Sequence, residues 1–201
     1  MHMKTQIAVL IIASLFMWAG CQTGGPEQLT AEESQSYIQK GQNITKQVGM
    51  VMKSALTKSI SEGGVAKAAQ YCSYMAIPMV DTLAVQNGVS LRRTSTKVRN
   101  VKNDMPTERE LVILEQYEQQ KAAGQELKPL VELVDPHTVA YYQPILVEPL
   151  CLNCHGIVGE TLTEDDFKTL KYLYPDDEAT GYQLDDFRGI WSMQMPRHTI
   201  Q

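Results

Sequence analysis

The sequence is poor in the residues that bind metals and form disulfides, with only four cysteines and four histidines in 201 residues. Only one closely spaced pair of cysteines occurs, which argues against a structural zinc site, because such a site needs four nitrogen or sulfur ligands. No basic patch accompanies the net charge of -5, so we expect no nucleic-acid partner. Internal repeats and low-complexity segments are also missing, and 43% hydrophobic residues are enough to bury a core.

The N-terminus has the pattern of a bacterial lipoprotein signal peptide. Lys4 precedes an apolar run at residues 7–20, which is short for a membrane-spanning helix. The run ends in the letters WAGC, so we predict that residues 1–20 are removed and that Cys21 becomes the acylated first residue. Residues 21–29 would form a tether from the membrane. A cut by an ordinary signal peptidase and an uncleaved anchor are the alternatives.

The rest of the chain, residues 30–201, predicts one α+β domain. Helical patterns fill its first part, with a break at Gly63 and Gly64 and a second break or kink at Pro78. Strand patterns follow at residues 89–95, in two segments before residue 147 and near the C-terminus. We therefore expect an antiparallel sheet packed with long N-terminal helices.

The letters CLNCH, residues 151–155, are the most specific motif in the chain. The spacing C-x-x-C-H is typical of covalent c-type haem attachment, in which two thiols bond to one porphyrin. We predict that Cys151 and Cys154 form the two thioether bonds and that His155 is an axial ligand of the iron. A thioredoxin-like redox pair would not require the following histidine. Export agrees with this prediction, since c-type cytochromes mature outside the bacterial cytoplasm.

The residues alone do not identify the second axial ligand of the iron. Cys72, His137, His198 and any of ten methionines are candidates. Cys72 lies in an apolar helical segment and has no disulfide partner left once the other cysteines are assigned. A free cysteine in such a segment is more often a small buried hydrophobic residue than a ligand.

Basic and aromatic residues suggest further contacts to a haem. Arg93, Lys97 and Arg99 are candidates for its propionates, because arginine pairs with carboxylates through two hydrogen bonds. The alternative is that these residues belong to a charged strand that faces the solvent and binds no ligand. Tyr141 and Tyr142 precede the motif closely and are candidates for the pocket wall, although a core role is equally compatible with the sequence.

Four sequence blocks together resemble a known family. They are AAQYCSYMAI, LRRTSTKVRN, YYQPILVEPLCLNCHG and YPDDEATGYQLDDFRGIWSM, in this order. They resemble exported single-haem c-type domains that were long catalogued as a domain of unknown function and that occur alone or as sensor parts of bacterial signalling proteins. The resemblance implies a PAS-like fold, and it implies that Cys72 and His155 are the axial ligands.

Two functions are compatible with these features. A PAS-like domain with thiolate-ligated haem is expected to sense redox state or a diatomic gas, and a lipoprotein without a kinase, cyclase or methyl-accepting region needs a signalling partner. A small membrane-anchored cytochrome c that exchanges electrons with a redox partner is the alternative. We expect no enzymatic activity, because a cysteine in the sixth position would close the site to substrates.

Overall fold

A computed structural model describes residues 28–198 of the chain. The predicted signal peptide and Cys21 lie outside the described residues. Within residues 28–198, none of the helices combines the length and the apolar character that crossing a membrane requires. The elements in chain order are α1 (Ala31–Gln86), β1 (Ser90–Thr94), α2 (Glu108–Ala122), β2 (Leu130–Asp135), β3 (Thr138–Leu146), α3 (Pro149–His155), α4 (Glu164–Leu173) and β4 (Phe187–Pro196).

Helix α1 is a hairpin of two arms rather than one rod. Its backbone leaves helical geometry at Gly63 and Gly64, as the sequence predicts, and Gly64 has a φ of 69° that favours glycine. On a straight helix, Val48 and Val80 would be about 48 Å apart at 1.5 Å per residue. Both instead pack in one core cluster, so the arms at residues 31–62 and 65–86 fold back on each other. Pro78 lies inside the second arm without dividing it.

The four strands form one antiparallel sheet in the order β1-β4-β3-β2. Side chains alternate between its two faces, as a pleated strand requires. Val139 and Tyr141 pack beneath α1, whereas Ala140 and Tyr142 pack beneath α2. Each large apolar side chain that is fully buried in this way contributes about 1.5–3 kcal/mol. The two faces therefore hold α1 and α2 on opposite sides of the sheet.

This architecture confirms the predicted α+β class, with helices packed on an antiparallel sheet. The PAS-like interpretation of the sheet stays a prediction. The order of strands matters for the site because it places β1 and β4 side by side, with Arg93 directly opposite Trp191.

Candidate functional site

A cavity of about 830 Å³ lies between the two arms of α1, strand β1, helix α3 and the neighbouring ends of β3 and β4. Its volume falls in the range of about 300–1,000 Å³ that is usual for ligand and cofactor pockets. Cys72 and the motif residues Cys151, Cys154 and His155 all line it. The fold thus brings the three motif residues and the distant Cys72 to one space.

The two motif cysteines are held on a short helix. Pro149 occupies the first turn of α3, where a missing backbone N–H does no harm, and Glu148 is the N-cap residue. Cys151 and Cys154 are three residues apart, so both lie on the same helix face and line the cavity. Burial raises the pKa of the Cys154 thiol to about 11, although the nearby Arg99 guanidinium opposes this shift.

His155 is oriented by a backbone carbonyl. Its Nδ1 donates a hydrogen bond to the carbonyl oxygen of Ala179 at 2.7 Å. The proton is therefore on Nδ1, and Nε2 keeps the lone pair that a metal would bind. Removal from water lowers the pKa of His155 well below its ordinary value, and Arg99, Arg188 and Arg93 lower it further. The imidazole is consequently neutral, which is the form that ligates metals.

The loop between α4 and β4 fixes this arrangement. The side chain of Asp177 is completely buried, accepts a hydrogen bond from the Ala179 N–H at 2.8 Å and pairs with Arg99 at 3.1 Å. Arg99 also donates to the carbonyl oxygens of Cys154 and Ala179. Tyr182 donates its backbone N–H to the carbonyl oxygen of His155 at 3.0 Å. The motif helix is therefore tied at its C-terminal end to the loop between α4 and β4.

Cys72 enters the cavity from the second arm of α1. Burial raises the pKa of its thiol above the ordinary value, and the positive charges of Arg93 and Arg99 oppose this shift. Cys72 is close enough to Cys154 to raise the pKa of that thiol electrostatically. A metal that binds the sulfur would displace its proton, as metals do with coordinating thiols.

The other candidates for the second axial position are mostly remote from the cavity. His137 lies in the β2–β3 turn, where its backbone N–H donates to Asp135 at 2.8 Å, and His198 follows β4 beside Tyr37. Neither lines the cavity. Among the methionines that the structure describes, Met50 and Met52 line it. Of the candidates for the second axial ligand, those that line the cavity are therefore Cys72, Met50 and Met52.

The predicted propionate residues differ in their surroundings. Arg93 and Arg99 line the cavity, but Lys97 does not. The Nζ of Lys97 donates to the carbonyl oxygen of Thr180 at 2.5 Å and lies 4.5 Å from the ring centroid of Tyr182. Arg99 already binds Asp177 and two carbonyl oxygens, as described above. Arg93 is the member of this set that keeps its donors for a ligand.

The structure places Tyr141 and Tyr142 away from the cavity, in contrast to the expected role in its wall. Tyr141 belongs to the core beneath α1, where a Cβ at Gly41 would lie only 2.6 Å from its ring. Tyr142 points to the opposite face and donates to Glu132 at 3.0 Å. Both rings are used for packing the helices on the sheet, whereas Pro144, further along β3, lines the cavity.

Two groups of the site were not predicted from the sequence. The carbonyl oxygen of Ala179 orients His155, but a backbone acceptor has no signature in the residue letters. Arg188 also lines the cavity, although no sequence motif marks it as a ligand residue. The only available signal was Gly189 directly after it, because a glycine inside a strand often marks a bulge.

A helical hairpin on an antiparallel sheet, with a cavity lined by three cysteines and a histidine, defines the class of the domain. The chain belongs to the Tll0287-like family, whose model matches residues 26–196. This match agrees with the resemblance noted from the four sequence blocks. No curated protein sequence matches the chain.

A solved structure has a similar fold. It is described as the crystal structure of the cyanobacterial heme-protein Tll0287 and aligns with a TM-score of 0.58 at 22% sequence identity. The alignment covers 83% of this chain and 97% of the other. At this identity the likeness concerns the fold.

Proposed function

We propose that the protein is an exported, lipid-anchored mono-haem c-type protein that senses redox state or a diatomic gas. The observation that carries the proposal is the shared cavity, which Cys72, Cys151, Cys154 and His155 all line. Membership in the Tll0287-like family supports it, since the related protein of known structure is described as a heme-protein.

The residues of the cavity fit a covalently attached haem. Cys151 and Cys154 would hold it by thioether bonds, and His155 would ligate the iron through Nε2, which the hydrogen bond to Ala179 leaves free. Cys72 would be the second residue of this chain to bind the iron. The haem supplies a metal that changes its oxidation state and, with one position open, binds diatomic gases.

The second arm of α1 suits a switch controlled by Cys72. Its buried residues are small: Ala68, Ala69, Ala76, Val80 and Ala84. Small side chains bury little apolar area, and the larger Met79 and Leu83 are only partly buried, so packing holds this arm less firmly than fully buried large side chains would. A bond from Cys72 to the metal would add a strong restraint. Without this bond the arm would lose that restraint, and a partner protein would be able to respond to its movement.

A small electron-transfer cytochrome is the second candidate. The hydrogen bonds of the motif helix support it, because Arg99, Gly181 and Tyr182 tie the backbone of residues 154–156 to the rest of the fold. A site that rearranges little on reduction favours rapid electron exchange. In this case Cys72 would stay bound in both oxidation states.

Covalent attachment is tested first with Cys151→Ala and Cys154→Ala, expressed with a c-type maturation system. We expect haem staining on a denaturing gel to be strong for the unmodified chain and reduced or lost in each variant. Ser73→Ala serves as the control, because Ser73 is half-buried next to Cys72 but does not line the cavity. Full staining in both cysteine variants would exclude covalent attachment through these residues.

The two functions are separated by carbon monoxide binding to the reduced protein. The sensor proposal predicts that carbon monoxide binds readily after reduction, because Cys72 leaves the sixth position. It also predicts a change in the proteolytic susceptibility of residues 65–86 on reduction. A reduced protein that does not bind carbon monoxide and is cleaved like the oxidised form would favour the electron carrier.

A further inference from the structure

Arg188 has a buried nitrogen without a hydrogen-bond partner. Among residues 28–198, its Nε is the buried side-chain nitrogen or oxygen atom that forms no hydrogen bond. The other end of the guanidinium donates through Nη1 to the carbonyl oxygen of Lys97 at 3.2 Å. The group lies over the ring of Tyr182, 5.3 Å from its centroid, and lines the cavity. A buried donor left unbonded is costly, so it indicates a missing acceptor.

A β-bulge turns Arg188 towards the cavity. Ile145 pairs with Gly189 and Leu146 pairs with Phe187, which leaves Arg188 as the extra residue of β4. Strict alternation would put Arg188 on the same face as Ile190. The bulge instead puts Phe187 with Ile190 beneath α2 and Arg188 on the cavity side. Bulges that redirect a side chain are frequent beside functional sites.

Gly189 is necessary for this bulge. Its φ of 148° is rarely adopted by residues with a side chain. A Cβ at this position would lie 2.3 Å from the carbonyl oxygen of Thr94 on the adjacent strand. The strand thus uses a residue without a side chain to place an arginine in the cavity.

Arg93 is the neighbouring cation that keeps its donors. It lies opposite Trp191 on the adjacent strand, with its guanidinium carbon 5.4 Å from the ring centroid. Among the described residues, the structure records neither a hydrogen bond nor an ion pair for its side chain. Trp191 supports the guanidinium from one side through a cation–π contact and leaves its edge free for an acceptor.

Positively charged side chains outnumber negatively charged ones around the cavity. Arg93, Arg99 and Arg188 are close enough to affect one another and His155 electrostatically. Of the nearby carboxyl groups, Asp177 pairs with Arg99. Asp104 is half-buried and forms no ion pair within the described part of the chain, and burial raises its pKa despite the adjacent arginines. Among residues 28–198, neither Arg93 nor Arg188 forms an ion pair with a carboxylate.

We propose that Arg93 and Arg188 together bind the two carboxylates of the haem. This inference rests on the proposed function and makes it more specific. The number of unpaired guanidinium groups equals the number of haem propionates, and forked donors suit carboxylates. Arg99 instead positions the motif helix and the loop that orients His155. Lys97 donates a hydrogen bond to the carbonyl oxygen of Thr180.

The test uses resonance Raman spectra of the haem-loaded protein, in which the propionate bending bands report hydrogen bonds to the carboxylates. The variants are Arg93→Gln, Arg188→Gln and the charge-conserving Arg188→Lys. Arg109→Gln is the control, because Arg109 pairs with Glu132 outside the cavity. We expect shifted propionate bands in the three cavity variants and unchanged bands in the control. The Arg188→Lys variant should shift as well, because lysine lacks the fork.

Haem staining of each variant distinguishes the two levels of the proposal. A chain that never retains haem contradicts the proposed function, whereas haem-loaded variants with unchanged propionate bands contradict the carboxylate assignment alone. If a variant fails to fold, a crystal structure of the unmodified haem-loaded protein decides. It should show Arg188 Nε within hydrogen-bond distance of a propionate. A solution anion on Arg188, with both propionates elsewhere, would overturn the assignment.

Discussion

Replacing Arg99 by methionine removes the cation that joins three parts of the site. Arg99 is 13% exposed, its partner Asp177 is fully buried, and the guanidinium also donates to the carbonyl oxygens of Cys154 and Ala179. Removing one partner of a buried ion pair typically costs about 3–5 kcal/mol, since the other charge stays buried and unpaired. We expect Arg99→Met to lower the free energy of unfolding by this amount.

The assay is urea unfolding of the haem-loaded protein, followed by circular dichroism. Arg109→Met is the matched control, because the Arg109–Glu132 pair is more exposed, at 53% and 23%. A pair of this kind is worth about 0–1 kcal/mol. Adding Asp177→Asn to Arg99→Met should recover part of the loss, with a coupling of about 0.5–3 kcal/mol. The reasoning is wrong if Arg99→Met costs no more than Arg109→Met, or if the two losses simply add.

Two further predictions concern the bulge and the anchor. Gly189→Ala should destabilise the protein more than Gly124→Ala in the same unfolding assay. Both glycines have positive φ, but a Cβ at Gly124 meets nothing within 4 Å, so only the conformational cost of about 1–2 kcal/mol remains there. Equal losses would show that the contact with Thr94 relaxes freely. Cys21→Ala should move the protein from the membrane to the soluble fraction after cell lysis, and a variant that stays with the membranes would contradict the lipoprotein prediction.

Local chemistry explains which parts of the fold could be predicted from the sequence. Thr30 and Thr107 cap α1 and α2, and in both cases a glutamate three residues later completes a capping box, a pattern that the residue letters alone indicate. Gly88 and Gly124 follow the same two helices with positive φ. These signals depend on a few consecutive residues, so they can be read from the sequence without the tertiary structure.

The remaining features depend on contacts between distant residues. Alternation indicates that Tyr141 and Tyr142 lie on opposite faces of β3. The sequence does not show that both side chains pack against helices and that neither lines the cavity. The bulge at Arg188 interrupts the regular alternation of side chains in β4, and a prediction of which face a residue occupies depends on that alternation. The segment DDEATG carries no recognisable motif, yet it contains buried Asp177 and the carbonyl group that orients His155. These roles arise only when the loop packs against α3.

The candidate site was predicted to different degrees. The spacing of Cys151, Cys154 and His155 indicates haem chemistry without any structure. Cys72 was an ambiguous residue until the family resemblance singled it out, and the structure now places it in the same cavity as the motif. Its role as a ligand stays a prediction.

The most direct test of the account is the low-temperature EPR spectrum of the oxidised, haem-loaded protein, compared with Cys72→Ala. Met52→Leu is the matched control, because Met52 lines the same cavity and is the competing buried ligand. The account predicts a low-spin thiolate signal in the unmodified protein and in Met52→Leu, and its loss in Cys72→Ala. A signal that persists in Cys72→Ala and disappears in Met52→Leu would contradict it.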